Sequence, residues 1–77
     1  MKELLLTIAR GLVEKPNDVF VDEDEVNEKG IKVYHLHVAQ SDMGRVIGKQ
    51  GRIAKAIRTV MHSAAIRNNC KVVIEID

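Results

Sequence analysis

The segment Val-Ile-Gly-Lys-Gln-Gly-Arg-Ile at residues 46–53 constrains the fold more than any other part of this chain. Gly48 and Gly51 stand three residues apart, with apolar residues before them and a helical pattern after them. Glycine has no Cβ, so it adopts positive φ easily and lets another backbone come close. The spacing therefore predicts a tight, exposed turn between two helices.

The same turn is suited to binding an anion. The first N–H groups of a helix have no partner within the helix, and together they carry about half a positive charge. Lys49 and Arg52 would add full charges beside them. Such a helix start is a natural site for an anionic backbone.

Two better-known glycine motifs do not fit this segment. A Walker-type loop ends in Gly-Lys-Ser/Thr, which does not occur here. The dinucleotide-binding fingerprint needs three glycines directly after a strand. An ordinary surface turn remains the alternative, because Gly-x-x-Gly also occurs by chance in many proteins.

Charged residues are divided unequally along the chain. Residues 1–30 contain four Lys/Arg and eight Asp/Glu, whereas residues 31–77 contain eight Lys/Arg and three Asp/Glu. From Met43 to Ile74 there are seven basic residues and no acidic residue. A surface of one sign around the glycine turn attracts polyanions, and such binding weakens as salt rises. A solvated helix face is the simpler alternative, but such faces usually carry both signs.

The length of 77 residues leaves room for one domain, and we expect that domain to span residues 1–77. The one cysteine excludes an internal disulfide and favours a reducing compartment. The apolar run at 4–8 is too short to span a membrane, and the first residues lack the features of a signal peptide. We therefore predict a cytoplasmic protein with no membrane association.

Hydrophobic periodicity predicts three helices and three strands. We predict helices at 3–14, 42–47 and 51–68, and strands at 19–26, 31–39 and 71–76. Ser41 is the expected N-cap of the second helix, and Gly48 is expected to end that helix as a C′ glycine. A three-stranded sheet with all three helices on one face would bury the apolar stripes together, which is an α+β fold.

The apolar residues within each predicted element share a face. The expected core residues are Leu4, Leu5, Ile8 and Leu12 in the first helix, Tyr34, Leu36 and Val38 in the second strand, Ile53, Ile57, Val60, Met61 and Ala64 in the third helix, and Val72, Ile74 and Ile76 in the last strand. Ile66 falls outside its helix stripe, which suggests either a partner surface or a frayed helix end. Cys70 is expected to be packed rather than reactive.

His35 and His37 would lie together on the outer face of the sheet. Structural zinc is usually four-coordinate, and the remaining histidine and cysteine, His62 and Cys70, do not have the spacing of a ligand pair. We therefore predict a polar sheet face, no metal and no cofactor. The acidic residues at 22–25 indicate a strand that is at an edge or has one solvated face.

The segment Asp-Met-Gly-Arg-Val-Ile-Gly-Lys-Gln-Gly-Arg-Ile-Ala-Lys-Ala-Ile-Arg at 42–58 resembles a known family. Val-Ile-Gly-x-x-Gly-x-Ile, with a basic pair and a following helix, is similar to the signature of KH domains. The element order α-β-β-α-α-β resembles their type II fold. Over essentially its full length, the chain resembles the small bacterial KH proteins of the KhpA (YlqC) family. Neither glycine is replaced and the residues between them are not acidic, so the motif shows no departure.

The resemblance implies a function and a set of site residues. It implies a module that binds single-stranded RNA, of the RNA chaperone or post-transcriptional regulator type, without catalysis. It also implies association with a second copy or with a KH protein of the KhpB (Jag-like) kind. The RNA-binding residues expected from the Gly-x-x-Gly loop at 48–51 and its surroundings are Gly48, Lys49, Gln50, Gly51, Arg52, Arg45, Ile47 and Lys55. Ile47 is expected to floor an apolar groove for the bases.

Two other functions remain open. The fold could serve mainly for dimerisation, with a second KH protein reading the RNA. An enzyme is the other possibility, but no Ser/His/Asp or Cys/His arrangement is evident, so we predict no catalytic residues and no small-molecule substrate. The chain has one phenylalanine, Phe20, one tyrosine, Tyr34, and no tryptophan. Two aromatic rings are too few for a platform on which bases stack, and this argues against an RRM or an OB-fold.

Overall fold

The computed structural model describes residues 1–76, except for the side chain of Lys49. The helices are α1 (Lys2–Leu12) and α2 (Gln40–Arg67), and the strands are β1 (Phe20–Glu23), β2 (Ile31–His37) and β3 (Lys71–Ile76). A short 3₁₀ turn at Pro16–Asp18 connects α1 to β1. The first helix and the strands thus occur where the apolar patterns predict them, with ends that differ by a few residues.

α2 is the region that the sequence predicts as two separate helices. Helical assignment is continuous over Gln40–Arg67, but Gln50 and Gly51 have φ of 63° and 70°. These left-handed angles divide α2 into an N-terminal segment (40–49) and a C-terminal segment (52–67). A straight helix of 28 residues would be about 42 Å long, whereas the longest axis of the molecule is 35 Å. With the two segments counted separately, the order α-β-β-α-α-β is confirmed.

Two predictions about the first helical segment are wrong. The helix begins at Gln40 with Ala39 as its N-cap and without a side-chain cap, so Ser41 is already inside the helix. Gly48 does not end the segment as a C′ glycine, because the left-handed angles occur at Gln50 and Gly51 instead. The break therefore comes two residues later than the sequence indicates.

The sheet has the strand order β1-β2-β3, so β2 is central. β1 pairs antiparallel with β2, with Val21 opposite Leu36. β3 pairs parallel with β2, with Ile74 opposite Tyr34. A parallel pair needs a long crossover connection, and α2 supplies it. The acidic strand β1 lies at one edge of the sheet, where its charges discourage pairing with another chain.

The core lies between one face of the sheet and the two helices. The largest fully buried apolar side chains are Leu5 of α1, Leu36 of β2, and Ile57 and Met61 of α2. Burying each of these contributes roughly 1.5–3 kcal/mol. The buried cluster also contains Ala9, Val19, Val21, Tyr34, Ala65, Val72 and Ile74. The predicted inward faces of β2 and β3 are therefore confirmed.

Three residues predicted for the core are partly exposed instead, namely Leu4, Leu12 and Val60, at 37%, 39% and 43%. In α2 the buried stripe runs through Ala54, Ile57, Met61 and Ala65. Their spacing of three and four residues defines one helix face. The buried face is therefore rotated, relative to the predicted one, toward Ala54 and Ala65. Val60 lies at the margin of this face and remains accessible to solvent.

Tyr34 is the one tyrosine of the chain and lies in the core at 5% exposure. Burial raises the pKa of its hydroxyl above the ordinary value, because the charged form loses its hydration. The carboxylate of Glu23 raises this pKa further, and the ammonium of Lys32 offsets part of the effect.

The outer face of the sheet carries His35 and His37, as predicted, but it also exposes the apolar side chains of Phe20 and Val73. His35 Nε2 lies 3.1 Å from Asp24 Oδ2, and His37 Nε2 lies 3.1 Å from Asp22 Oδ2. The ring of Phe20 stacks on that of His37 with centroids 4.4 Å apart. Among the described residues, no group of three or more His, Cys, Asp or Glu side chains is arranged to hold a metal ion. None of the helices in the described part of the chain has the length and apolar content that a membrane crossing requires.

Candidate functional site

The left-handed pair Gln50–Gly51 forms a turn at the centre of α2. Glycine adopts φ of 70° without strain, whereas a non-glycine residue in this region is destabilised by about 1–2 kcal/mol. The side chain of Gln50 is exposed, so no buried contact offsets the energetic cost of its φ of 63°. Strain of this kind is concentrated at ligand clamps and switch regions. The turn is therefore a candidate binding element on its geometry alone.

A groove of about 500 Å³ lies beside this turn. Its lining residues are Gly44, Arg45, Gly48, Arg52 and Ile53. They belong to both segments of α2, so the left-handed pair is what brings them together. Sites for small molecules and cofactors typically have volumes of roughly 300–1,000 Å³, so the groove is large enough to hold part of a ligand.

Gly44 and Gly48 leave the surface of the groove without side chains. They are four residues apart and so lie on the same face of the N-terminal segment. Neither has a positive φ, and a Cβ built on either would meet no atom within 4 Å. The fold therefore does not require glycine here, although glycine destabilises a helix by about 1 kcal/mol relative to alanine. What glycine does provide is an open backbone that another molecule can approach closely.

Arg45 and Arg52 bring positive charge to the groove. The side chain of Arg52 is exposed, and so is that of Lys55, three residues further along the same helix. Arg45 Nη2 pairs with Glu14 Oε1, and Arg45 Nε lies 3.9 Å from Asp42 Oδ1. The guanidinium of Arg52 is thus open to solvent, whereas that of Arg45 already has carboxylate partners.

Asp42 ties this region to α1. Its side chain is 2% exposed. Asp42 Oδ1 accepts the N–H of Glu14 at 3.1 Å, and Oδ2 accepts the N–H of Lys15 at 3.0 Å. Charge-assisted hydrogen bonds to a buried carboxylate are among the stronger polar contacts in proteins. The first turn of α2 is therefore held against the residues that follow α1.

The chemistry of the groove suits a ligand that is anionic along one side and apolar along the other. Guanidinium groups can bind phosphate oxygens through two parallel hydrogen bonds, and Ile53 presents hydrocarbon. Tyr34 is buried in the core, and Phe20 stacks on His37 at the sheet, so neither lines the groove. An apolar ligand group would rest on aliphatic rather than aromatic surface.

The structure brings together some of the predicted site residues and not others. Gly48, Arg45 and Arg52 line the groove, Gln50 and Gly51 form the adjacent turn, and Lys55 is exposed on the following helical turn. Ile47 is 57% exposed but is not among the lining residues; the aliphatic side chain there is Ile53. The side chain of Lys49 lies outside the described part of the structure, so its role remains a prediction.

Sequence reasoning missed several features of this region. The spacing of four between Gly44 and Gly48 was visible in the sequence and indicates a shared helix face. The spacing of Ile53 fits the predicted apolar stripe, so the sequence indicates a core residue and gives no sign of the groove. Glu14 gave no signal at all, since 31 residues separate it from Arg45.

A second groove, of about 330 Å³, lies where α2 ends and β3 begins. It is lined by His62, Ala65, Ile66, Cys70, Lys71 and Val72. Ile66 is 76% exposed. The prediction that Cys70 is packed is wrong: its side chain is exposed. Asn69, with φ of 54°, ends the helix and turns the chain just before Cys70, so this cysteine lies in the connection rather than on a core-facing stripe.

A three-stranded sheet, helices on one of its faces in the order α-β-β-α-α-β, and a Gly-x-x-Gly turn at the bend of α2 together define a KH-type domain. Comparison with known families gives a match to the family described as KhpA/KhpB, KH domain, over residues 2–76. The chain belongs to this KhpA/KhpB family of KH domains.

Similar proteins extend over almost the whole chain. A protein of Clostridium perfringens named RNA-binding protein KhpA is 59% identical over 76 residues, which cover 99% of each chain. The protein of that name from Clostridium acetobutylicum is 57% identical with the same coverage. The one from Listeria monocytogenes is 47% identical and covers 99% of this chain and 97% of its own. No solved structure matches the chain.

Proposed function

We propose that the chain is a single KH domain, residues 1–77, that binds single-stranded RNA along the groove of α2. In this proposal the Gly-x-x-Gly loop at 48–51 holds the sugar–phosphate backbone, and the bases lie against Ile53. The observation that carries the proposal is the open glycine surface: Gly44 and Gly48 have free space beside them that none of the described residues fills. KH domains clamp about four nucleotides in this manner.

The charges beside the loop support a phosphate-bearing ligand. Arg52 and Lys55 are exposed and lie within a stretch of α2 that has no acidic residue after Asp42. Lys49, in the loop itself, adds a further cation whose phosphate contact is proposed from the motif. Each phosphate neutralised contributes to a salt dependence, with a slope of about −0.7 per contact for single strands. Binding should therefore weaken strongly as salt is raised.

The similar proteins support the same function, since those of Clostridium and Listeria carry the name RNA-binding protein KhpA. We propose that the chain acts in the cytoplasm as an RNA chaperone-like post-transcriptional regulator, and that it has no catalytic activity and needs no cofactor. Sustained turnover of ATP or RNA by the purified protein would contradict this part of the proposal.

Replacing Lys49 and Gln50 together by aspartate tests the loop. The variant Lys49→Asp/Gln50→Asp places two carboxylates where phosphate is proposed to bind, so we expect at least about tenfold weaker binding, or ~1.4 kcal/mol. The fold should be retained, because aspartate tolerates the left-handed angles found at Gln50. Fluorescence anisotropy with labelled single-stranded oligoribonucleotides measures the affinity, and circular dichroism checks the fold.

A matched control separates the loop from general charge. Lys29→Asp/Thr7→Asp makes the same change in charge at two exposed positions in the β1–β2 turn and in α1. We expect this control to change affinity far less than the loop variant. Equal losses in both variants, or unchanged affinity in the loop variant, would refute the role of the loop.

A second candidate function is pairing with another KH domain, and the exposure of Ile66 favours it. Ile66 is 76% exposed and borders the second groove together with Ala65 and Val72, so these residues form a continuous apolar surface of the kind found at protein interfaces. We propose that this surface joins the chain to a second copy or to a KH protein of the KhpB (Jag-like) kind. One module gripping about four nucleotides binds weakly, and pairing two modules would raise avidity.

Sedimentation velocity of the wild type and of Ile66→Asp tests the pairing surface. We expect the wild type to sediment as a concentration-dependent dimer and the variant as a monomer that keeps its fold by circular dichroism, because the Ile66 side chain is exposed in the single chain. A wild-type monomer that binds RNA with full affinity would count against dimerisation as the main function.

A further inference from the structure

We infer that Glu14 is a built-in competitor of RNA phosphate for Arg45, and that it sets the affinity of the α2 groove. The inference rests on the proposed function, since it concerns the same groove. Its starting point is that a cation lining the groove is already paired with a carboxylate from a distant part of the chain.

Glu14, Asp42 and Arg45 form a closed set of contacts. The Glu14 N–H donates to Asp42 Oδ1 at 3.1 Å, and the same oxygen lies 3.9 Å from Arg45 Nε. Arg45 Nη2 in turn pairs with Glu14 Oε1. The buried carboxylate of Asp42 thus holds the backbone of Glu14 at a position from which its side chain reaches Arg45.

The Glu14–Arg45 pair is accessible enough to be exchanged. The side chains of Arg45 and Glu14 are 48% and 71% exposed, and ion pairs in such positions contribute little to stability. A phosphate offers oxygens that match the guanidinium fork and can take the place of the Glu14 carboxylate. A phosphate that binds Arg45 through Nη2 therefore requires this pair to open.

Displaced Glu14 stays close to Arg45. Its backbone stays bonded to Asp42, so the carboxylate remains near Arg45 at a high effective concentration. Competition of this kind lowers RNA affinity without changing the phosphate contacts themselves.

Affinity for a pool of labelled, randomised single-stranded oligoribonucleotides tests the inference by fluorescence anisotropy. We expect Glu14→Gln to bind about threefold more tightly than the wild type at low salt, an effect of the size that an exposed ion pair supports. The gain should shrink as salt is raised, because salt screens the pair that the variant lacks.

Glu28→Gln is the matched control, since it removes the same charge from another exposed glutamate. Glu28 lies before β2, whereas α2 follows β2. The seven residues of β2 separate its first residue, near Glu28, from its last residue, near the start of α2, by about 23 Å. We expect Glu28→Gln to leave RNA affinity close to that of the wild type.

A double-mutant cycle shows whether Glu14 acts through Arg45. In an Arg45→Gln background, Glu14→Gln should give no gain, because the cation for which it competes is absent. If Arg45→Gln does not fold, as judged by thermal melting, Arg45→Lys serves instead; there the gain should be reduced, because lysine lacks the guanidinium fork.

The outcomes separate the two proposals. A gain for Glu14→Gln that equals that of Glu28→Gln, or that persists in the Arg45→Gln background, overturns the inference while leaving RNA binding intact. Failure of the wild type and all variants to bind RNA overturns the proposed function and the inference together. A gain that is specific to Glu14 and depends on Arg45 supports both.

Discussion

Replacing Gly48 by alanine should make the protein more stable and its RNA binding weaker. Gly48 lies inside α2 without a positive φ, and a Cβ there would meet no atom within 4 Å. A glycine-to-alanine change at such a site typically stabilises by about 0.5–1 kcal/mol. For a chain of 77 residues, this corresponds to a rise in melting temperature of roughly 2–8 °C.

The same methyl group enters the groove from its glycine surface. It would keep the RNA backbone from approaching the helix and disturb the alignment of phosphate with Arg52. We expect a loss of affinity of about tenfold, or ~1.4 kcal/mol. Thermal melting by circular dichroism and anisotropy titration with a single-stranded oligoribonucleotide measure the two effects on the same preparation.

Gly11→Ala is the matched control for Gly48→Ala. Gly11 lies in α1, is exposed, and has the same free space around a built Cβ. Gly11 stands one residue before the end of α1, as Gly48 does in the N-terminal segment of α2, so we expect a similar stabilisation and unchanged RNA affinity. Should Gly48→Ala bind RNA as the wild type does, the glycine surface would not be the binding surface. If Gly48→Ala destabilised the protein, the conclusion that a methyl group fits beside Gly48 would be refuted.

Two further predictions concern stability. Asp42→Asn replaces one acceptor oxygen with a donor that faces a backbone N–H, so we expect about 2–3 kcal/mol of destabilisation; a chemical denaturation midpoint equal to that of the wild type would contradict this. Burial, with a smaller contribution from Glu23, raises the pKa of Tyr34 in the folded state. Its contribution to stability is therefore complete below the unfolded value of about 10 and is lost as pH rises through the folded pKa. Ultraviolet titration of this one tyrosine should give a midpoint above that of free tyrosine, and an ordinary midpoint with the fold intact would refute the assignment.

The elements and most of the core could be predicted because apolar periodicity is a local property. β3 was placed at its observed bounds, and Leu5, Leu36, Ile57 and Met61 fell on the predicted faces. The burial of small residues is more difficult to predict. Ala54 and Ala65 are buried and so rotate the core-facing side of α2, but alanine contributes too little hydrophobicity to change the apolar periodicity of the sequence. The position of the break was also missed, because glycine is conspicuous in a sequence whereas a left-handed glutamine is not.

The groove could be predicted only in part, since it depends on contacts between distant residues. The motif indicated Gly48, Arg45 and Arg52, all of which line the groove. The relation of these residues to α1 could not be inferred. It depends on the hydrogen bonds from Glu14 and Lys15 to Asp42, and these pairs are separated by 28 and 27 positions in the sequence. Periodicity carries no information about pairs at that separation, so the carboxylate environment of Arg45 became visible only in three dimensions.

The parallel pairing of β3 with β2 has a consequence for how the molecule assembles. The chain between these strands must close a loop before any of their hydrogen bonds form, at an entropic expense of roughly 3 kcal/mol for a connection of this length. All of the groove lies within that loop. The segment that carries the binding surface is thus the one whose closure completes the sheet, and without β3 the buried face of α2 would lose one of the strands against which it packs.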